Sequence, residues 1–109
     1  MRVAVFSDVQ ANLPALETCV AHIQGWNPDL VVMAGDLINR GPTSDACLRR
    51  FQELRQDQGW LPILGNHEVW VLRCGREPPL DAIDARLRAL ADFTCAQIAG
   101  TEHWLADWP

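Results

Sequence analysis

The sequence predicts an α/β fold: a parallel β-α-β-α-β half-sheet followed by helices. Three observations predict it. Short apolar runs recur at Val3-Ala4-Val5-Phe6, Leu30-Val31-Val32-Met33 and Leu61-Pro62-Ile63-Leu64. The segments between them carry apolar residues at helical spacing. Each run leads directly into a polar motif: Ser7-Asp8-Val9-Gln10-Ala11-Asn12, then Gly35-Asp36-Leu37-Ile38-Asn39-Arg40-Gly41-Pro42, then Gly65-Asn66-His67-Glu68. Strands alternating with helices over short links imply parallel strands and right-handed crossovers.

The first strand is expected over residues 2–6. Asn12 is a good N-cap and Pro14 suits a first turn, so a helix should begin there. Leu13, Leu16, Val20 and Ile23 form its inner stripe, and Gly25 with Asn27-Pro28 should end it. The second strand follows over Leu30 to Met33. Ser44 is the candidate cap of a second helix, with Ala46, Cys47, Phe51 and Leu54 inward and Gly59 at its close. Leu61 to Leu64 make the third strand. A further helix should start near Val69, and Pro78-Pro79 should break the chain. Leu80, Ile83, Leu87, Leu90 and Phe93 then predict one amphipathic helix over 80–98, its stripe serving as core or interface. Gly100 ends it, and residues 101–105 suggest one more short helix.

The chain has 109 residues, enough for a single domain with a modest core. Its net charge is −5, and all nine basic residues are arginines. No basic stripe marks a nucleic-acid groove. No apolar run approaches the ~20 residues of a membrane span. No leader pattern precedes the first strand, so the cytoplasm is the expected compartment. Cys19, Cys47, Cys74 and Cys95 lie far apart without a C-x-x-C pair, which argues for neutral thiols rather than a zinc cluster. A dinucleotide-binding domain is disfavoured because neither G-x-G-x-x-G nor a G-x-x-x-x-G-K-[ST] loop is present.

In an open parallel sheet, ligands bind just beyond the carboxyl ends of the strands. Three strands would deliver Asp8, Asp36, Asn66 and His67 to one rim. Phosphate-ester hydrolysis needs an activated water, neutralised phosphoryl charge, a proton for the leaving oxygen and a grip on phosphate. Asp8, Asp36, Asn66, His67 and Arg40 are residue types suited to those tasks. Gln10 is either a ligand or a polar neighbour. His22 and His103 read as surface or packing residues. Trp70, just past the third motif, either packs or lines a pocket.

These motifs resemble the calcineurin-like metallophosphoesterases. Asp8-Val9-Gln10 resembles a D-x-H block, residues 35–41 a G-D-x-x-x-R-G block, and residues 65–68 reproduce G-N-H-E. Asn12 to Glu17 is similar to small phosphodiesterases of the superfamily. Leu37 to Pro42 is similar to the diadenosine tetraphosphatase and serine/threonine phosphatase branch. The resemblance implies two divalent ions, drawn from manganese, iron, zinc or magnesium. It implies Asp8 and Gln10 at the first ion, Asp36 bridging, Asn66 at the second, His67 as general acid and Arg40 on the substrate phosphate. Asn39 stands where some relatives pair an aspartate with the catalytic histidine.

Two departures follow from the same comparison. Gln10 replaces a histidine, and no G-H-x-H block occurs. The family fold is a four-layer α-β-β-α sandwich. The chain is therefore expected to be a single partial domain, residues 1–109, matching its first half, whether trimmed, disrupted or split from a second chain. The expected function is a metal-dependent phosphoesterase acting on phosphomono- or diesters, weakly active or inactive in this form. The alternative is a non-catalytic module that binds metal, phosphate or a partner chain. An uncovered sheet surface is expected, open to self-association or a partner.

Overall fold

A computed structural model describes residues 1–109. Strand β1 is Val3–Phe6, β2 is Leu30–Met33 and β3 is Leu61–Pro62, all parallel in the order β1-β2-β3. Val3 pairs with Leu30 and Phe6 with Met33; Val32 pairs with Leu61 and Met33 with Pro62. The third strand is shorter than its apolar run. Pro62 has no N–H to donate. Ile63 N still reaches the Met33 carbonyl at 2.8 Å, but Leu64 N turns to the carbonyl of Pro109.

Helix α1 spans Leu13–Trp26 and α2 spans Ser44–Gln58. The Asn12 side chain caps α1 by accepting from Ala15 N at 3.1 Å. Helix α1 runs through Gly25 and ends where Asn27 turns left-handed at φ 51°. Ser44 is not the cap of α2. Thr43 holds that place, and the Ser44 hydroxyl instead accepts from Asn39 N at 3.0 Å. Gly59 closes α2 at φ 70°, a conformation glycine adopts without strain.

Because strand residues alternate between faces, the sheet has two unlike sides. Ala4, Val31 and Met33 are buried in one core with Leu16, Val20 and Ile23 of α1 and Leu48, Phe51 and Leu54 of α2. Phe6 packs edge-on against Phe51 and Trp60, and Phe51 against Trp108. On the other side Val3, Val5, Leu61 and Ile63 are exposed. The uncovered sheet face expected from the sequence is present. No helix is long and apolar enough to cross a membrane.

Helix α3 covers Asn66–Arg76, α4 covers Ala82–Leu87 and α5 covers Ala89–Gln97, with a 3-10 turn over Glu102–Leu105. The single helix expected over 80–98 is thus two helices meeting at Arg88. Its expected core stripe is also corrected: Leu80, Ile83, Leu87, Leu90 and Phe93 are all exposed, from 50% to 81%. The buried residues are Arg88, Ala91, Thr94 and Ile98, a second stripe at the same helical spacing. Small Ala91 and Thr94 allow α5 to lie close against the chain. Arg88 points inward and donates to the carbonyls of Cys74, at 2.7 Å, and Glu77, at 2.5 Å. Those carbonyls belong to the end of α3, where backbone acceptors lack helical partners.

Candidate metal and phosphate site at the sheet rim

The loops after β1 and β2 are laced together by their backbones. Asp8 N donates to Gly35 O at 3.1 Å, Gln10 N to Asp36 O at 3.0 Å and Ala11 N to Leu37 O at 2.9 Å. Asp8, Gln10, Ala11, Asp36, Asn39 and Arg40 all take positive φ, between 51° and 76°. Such conformations cost on the order of 1–3 kcal/mol each and cluster where surrounding structure enforces them. Gly41 N closes the loop pair onto Gln10 O at 3.0 Å.

The third loop crosses the second at closest approach. A Cβ on Gly35, which sits at φ 96°, would lie 2.6 Å from Gly65 Cα. A Cβ on Gly65 would collide with the Asp36 carboxylate. Asp36 therefore lies against the first turn of α3, where His67 N donates to its Oδ1 at 2.9 Å. The positive end of the helix dipole favours a carboxylate there.

Glu68 is wholly buried beneath this junction. Its Oε1 accepts from Asp36 N at 2.7 Å and Gly65 N at 2.9 Å, and its Oε2 from Ile38 N at 3.4 Å. One side chain thus ties the second and third loops. Burial raises its carboxyl pKa above the ordinary value, opposed by the three backbone donors and assisted by the nearby Asp36 charge. The sequence reading missed this residue. Its signal was its place three residues past Gly65, where a glutamate reaches back to the helix start.

The structure brings Asp36, Asn66, His67 and Asn39 into direct contact. One end of the Asn66 amide faces Asp36 Oδ2 at 2.9 Å and Oδ1 at 3.2 Å. Without a cation the NH2 end belongs there, donating to the carboxylate. A cation between the two groups would take the carbonyl end instead. Asn39 Nδ2 lies 3.1 Å from His67 Nδ1. Asp8 and Gln10 occupy the adjoining loop, and the Asp8 carboxylate accepts from the Ser7 hydroxyl at 2.5 Å.

Arg40 stands between two open cavities. One, of about 800 Å³, is lined by Asp8, Gln10, Asn12 and Thr43. The other, of about 600 Å³, is lined by Asn39, Asn66, His67, Trp70, Arg86 and Leu90. Trp70 therefore both packs and lines the pocket, with the Arg73 guanidinium 4.5 Å above its ring. Arg86 escaped the sequence reading because it belongs to none of the strand-end motifs. His22 and His103 line neither cavity.

No three His, Cys, Asp or Glu side chains converge as a ligand group. The rim's donors are two carboxylates, the Gln10 and Asn66 amides and one imidazole. Oxygen donors of this kind fit a hard divalent ion better than zinc, which favours nitrogen and sulfur.

An anionic rim beyond three parallel strands, with a histidine and an arginine opening onto one cleft, defines a phosphoesterase-type α/β scaffold. The comparisons agree: the chain belongs to the calcineurin-like phosphoesterase family, matching it over residues 1–105. It is 35% identical over 108 residues to the symmetrical bis(5'-nucleosyl)-tetraphosphatase of Shewanella sp. (strain MR-4), covering 94% of this chain and 36% of that protein. The protein of the same name from Acidovorax sp. (strain JS42) is 42% identical over 67 residues, 60% of this chain and 23% of that one. The metallophosphoesterase of Sphaerobacter thermophilus superposes on all of this chain and 42% of its own, with TM-score 0.70 and 27% identity. A hypothetical protein from Pyrococcus horikoshii OT3 shares the fold at TM-score 0.77 and 17% identity, over 99% of this chain and 48% of its own. The chain spans roughly a third or less of the length of the curated relatives it matches.

Proposed function

We propose that this chain supplies the first half of a metal-dependent phosphoesterase site, directed at phosphate esters and anhydrides of the bis(5'-nucleosyl) tetraphosphate kind. The observation that carries the reading is the contact set around Asp36: His67 N on its carboxylate, Asn66 against it, and Arg40 opening onto the cleft beside them. Asp8, Gln10, Asp36 and Asn66 would hold the divalent metal, with the Asp36 carboxylate as the central ligand of the set. When bound, divalent ions polarise phosphoryl oxygen and make water nucleophilic. Arg40 grips phosphate oxygens in a bidentate manner. His67, held at Nδ1 by Asn39, turns its other nitrogen to the leaving oxygen as the proton donor.

The oxygen-rich donors favour manganese or magnesium over zinc. With amides at two ligand positions, the chain by itself should turn over slowly or not at all. The open face of Val3, Val5, Leu61 and Ile63 is proposed as a packing surface for a further layer, from a second copy or a partner chain. Four free cysteines support a cytoplasmic setting, since thiols persist in reducing compartments. The relatives' names give no support to a purely non-catalytic module.

The test is calorimetric titration of the chain with manganese, beside an assay on diadenosine tetraphosphate and bis(p-nitrophenyl) phosphate. Manganese binding that disappears in Asp36→Ala is the expected result. Absence of binding, or binding untouched by Asp36→Ala, would refute the site.

A further inference from the structure

Behind His67 lies a hydrogen-bonded chain that begins on a distant helix. Asn39 is 3% exposed and Thr94, on α5, is fully buried. Thr94 Oγ1 lies 2.9 Å from Asn39 Oδ1, and Asn39 Nδ2 lies 3.1 Å from His67 Nδ1. The Asn39 backbone N–H is taken by Ser44 Oγ. Helix α5 grips the same loop a second time: the Gln97 amide accepts from Ser44 N at 3.1 Å and donates to Pro42 O at 2.7 Å.

We propose that Thr94 is a positioning residue for His67, deciding through Asn39 which ring nitrogen carries the hydrogen. The proposal rests on the reading of His67 as the group that faces the leaving oxygen.

A hydroxyl has one hydrogen to give and two lone pairs to offer. Thr94 has two acceptors within reach, Asn39 Oδ1 at 2.9 Å and the Leu90 carbonyl at 3.1 Å. When the hydrogen goes to Asn39 Oδ1, the amide NH2 must face the ring. His67 Nδ1 is then an acceptor, and the ring hydrogen sits on Nε2. When the hydrogen goes to Leu90, Thr94 Oγ1 accepts from a turned amide, and Asn39 Oδ1 faces the ring. His67 Nδ1 then carries the hydrogen. Amide oxygen and nitrogen have nearly the same shape, so the heavy atoms suit both arrangements. The structure holds the amide in the first orientation, Oδ1 on Thr94 and Nδ2 on the ring, which places the hydrogen on Nε2. The Thr94 hydroxyl is the one partner of Asn39 Oδ1. Removing it leaves a buried amide oxygen unpaired and nothing to choose between the two orientations.

The test is nitrogen-resolved NMR of the metal-free chain, in which His22 and His103 serve as internal references. In the wild type a scalar coupling across the hydrogen bond from Asn39 Nδ2 to His67 Nδ1 is expected, with the ring hydrogen on Nε2. In Thr94→Val the coupling weakens and the Nδ1 signal moves toward that of a hydrogen-bearing ring nitrogen, while Thr94→Ser restores both. Absence of the coupling in the wild type overturns the proposal whether or not any variant folds. So does a folded Thr94→Val with unmoved His67 signals. These readouts need neither metal nor substrate. The phosphoesterase reading fails separately, if manganese binding and hydrolysis are absent while the coupling stands.

Discussion

Replacing Glu68 by alanine should be among the most damaging single changes in this chain. The substitution removes the acceptor for Asp36 N, Gly65 N and Ile38 N together. The first two are short bonds to a charged acceptor, each contributing about 1.5–3 kcal/mol. The third is long at 3.4 Å, but Ile38 is buried, so its N–H loses its partner where water is excluded, at a cost of about 1 kcal/mol or more. Relief of the carboxylate's own desolvation offsets part of this. A net loss of about 3–5 kcal/mol results, a large share of the roughly 5–15 kcal/mol that holds a domain together. Glu68→Gln keeps one oxygen for Asp36 and Gly65 but turns an NH2 toward Ile38, and should cost about half as much. Urea unfolding followed by tryptophan fluorescence measures both. The carboxyl also predicts a pH slope. Its folded pKa is raised above 4.5, so its contribution is complete below 4.5 and is lost as pH climbs through the folded value. Glu68→Gln should flatten that decline. A loss under about 1 kcal/mol in Glu68→Ala would mean that the loops hold themselves together, and would refute the keystone reasoning.

Gln10→His should raise zinc affinity roughly tenfold, about 1.4 kcal/mol, because imidazole suits zinc better than an amide oxygen does; unchanged calorimetric affinity would show that position 10 faces away from the ion. Gly65→Ala should cost about 1–3 kcal/mol, since its new methyl meets the Asp36 carboxylate; a urea midpoint equal to wild type would reveal slack in the crossing. Burial pushes the Cys47 thiol up to about 11, so Cys47 should be the last of the four cysteines alkylated by iodoacetamide in the native chain. Mass mapping that finds Cys47 modified as fast as Cys74 would contradict its packing.

The parts of the fold legible in the sequence are those governed by local physics. β1, β2, α1 and α2 announce themselves through apolar period, and Asn12 through its capping chemistry. The rim residues were legible because each follows a strand, and strand ends share one edge of a parallel sheet. What stayed hidden depends on contacts across long stretches of chain. Leu80 to Phe93 form the better apolar stripe, yet the small-and-polar stripe of Arg88, Ala91 and Thr94 faces inward, because α3 offers Arg88 bare carbonyls. Ser44 looks like a cap until Asn39 claims its hydroxyl. Thr94 looks like any helical threonine until Asn39, 55 residues away, lies against it. Burial of a polar side chain is decided by its partner, and a partner that far off leaves no local pattern.

Arg88 has a mechanical consequence. Its guanidinium fastens the junction of α4 and α5 to the last carbonyls of α3. The N-terminus of α3 carries His67, and α4 and α5 carry Arg86, Leu87 and Leu90 on the opposite side of the cleft. A clamp at the far end makes the two jaws one casting. The cleft therefore does not widen by swinging α4 away from His67, as a hinged flap would. The spacing between Leu90 and His67 is then held by the protein itself and not set by whatever lies between them.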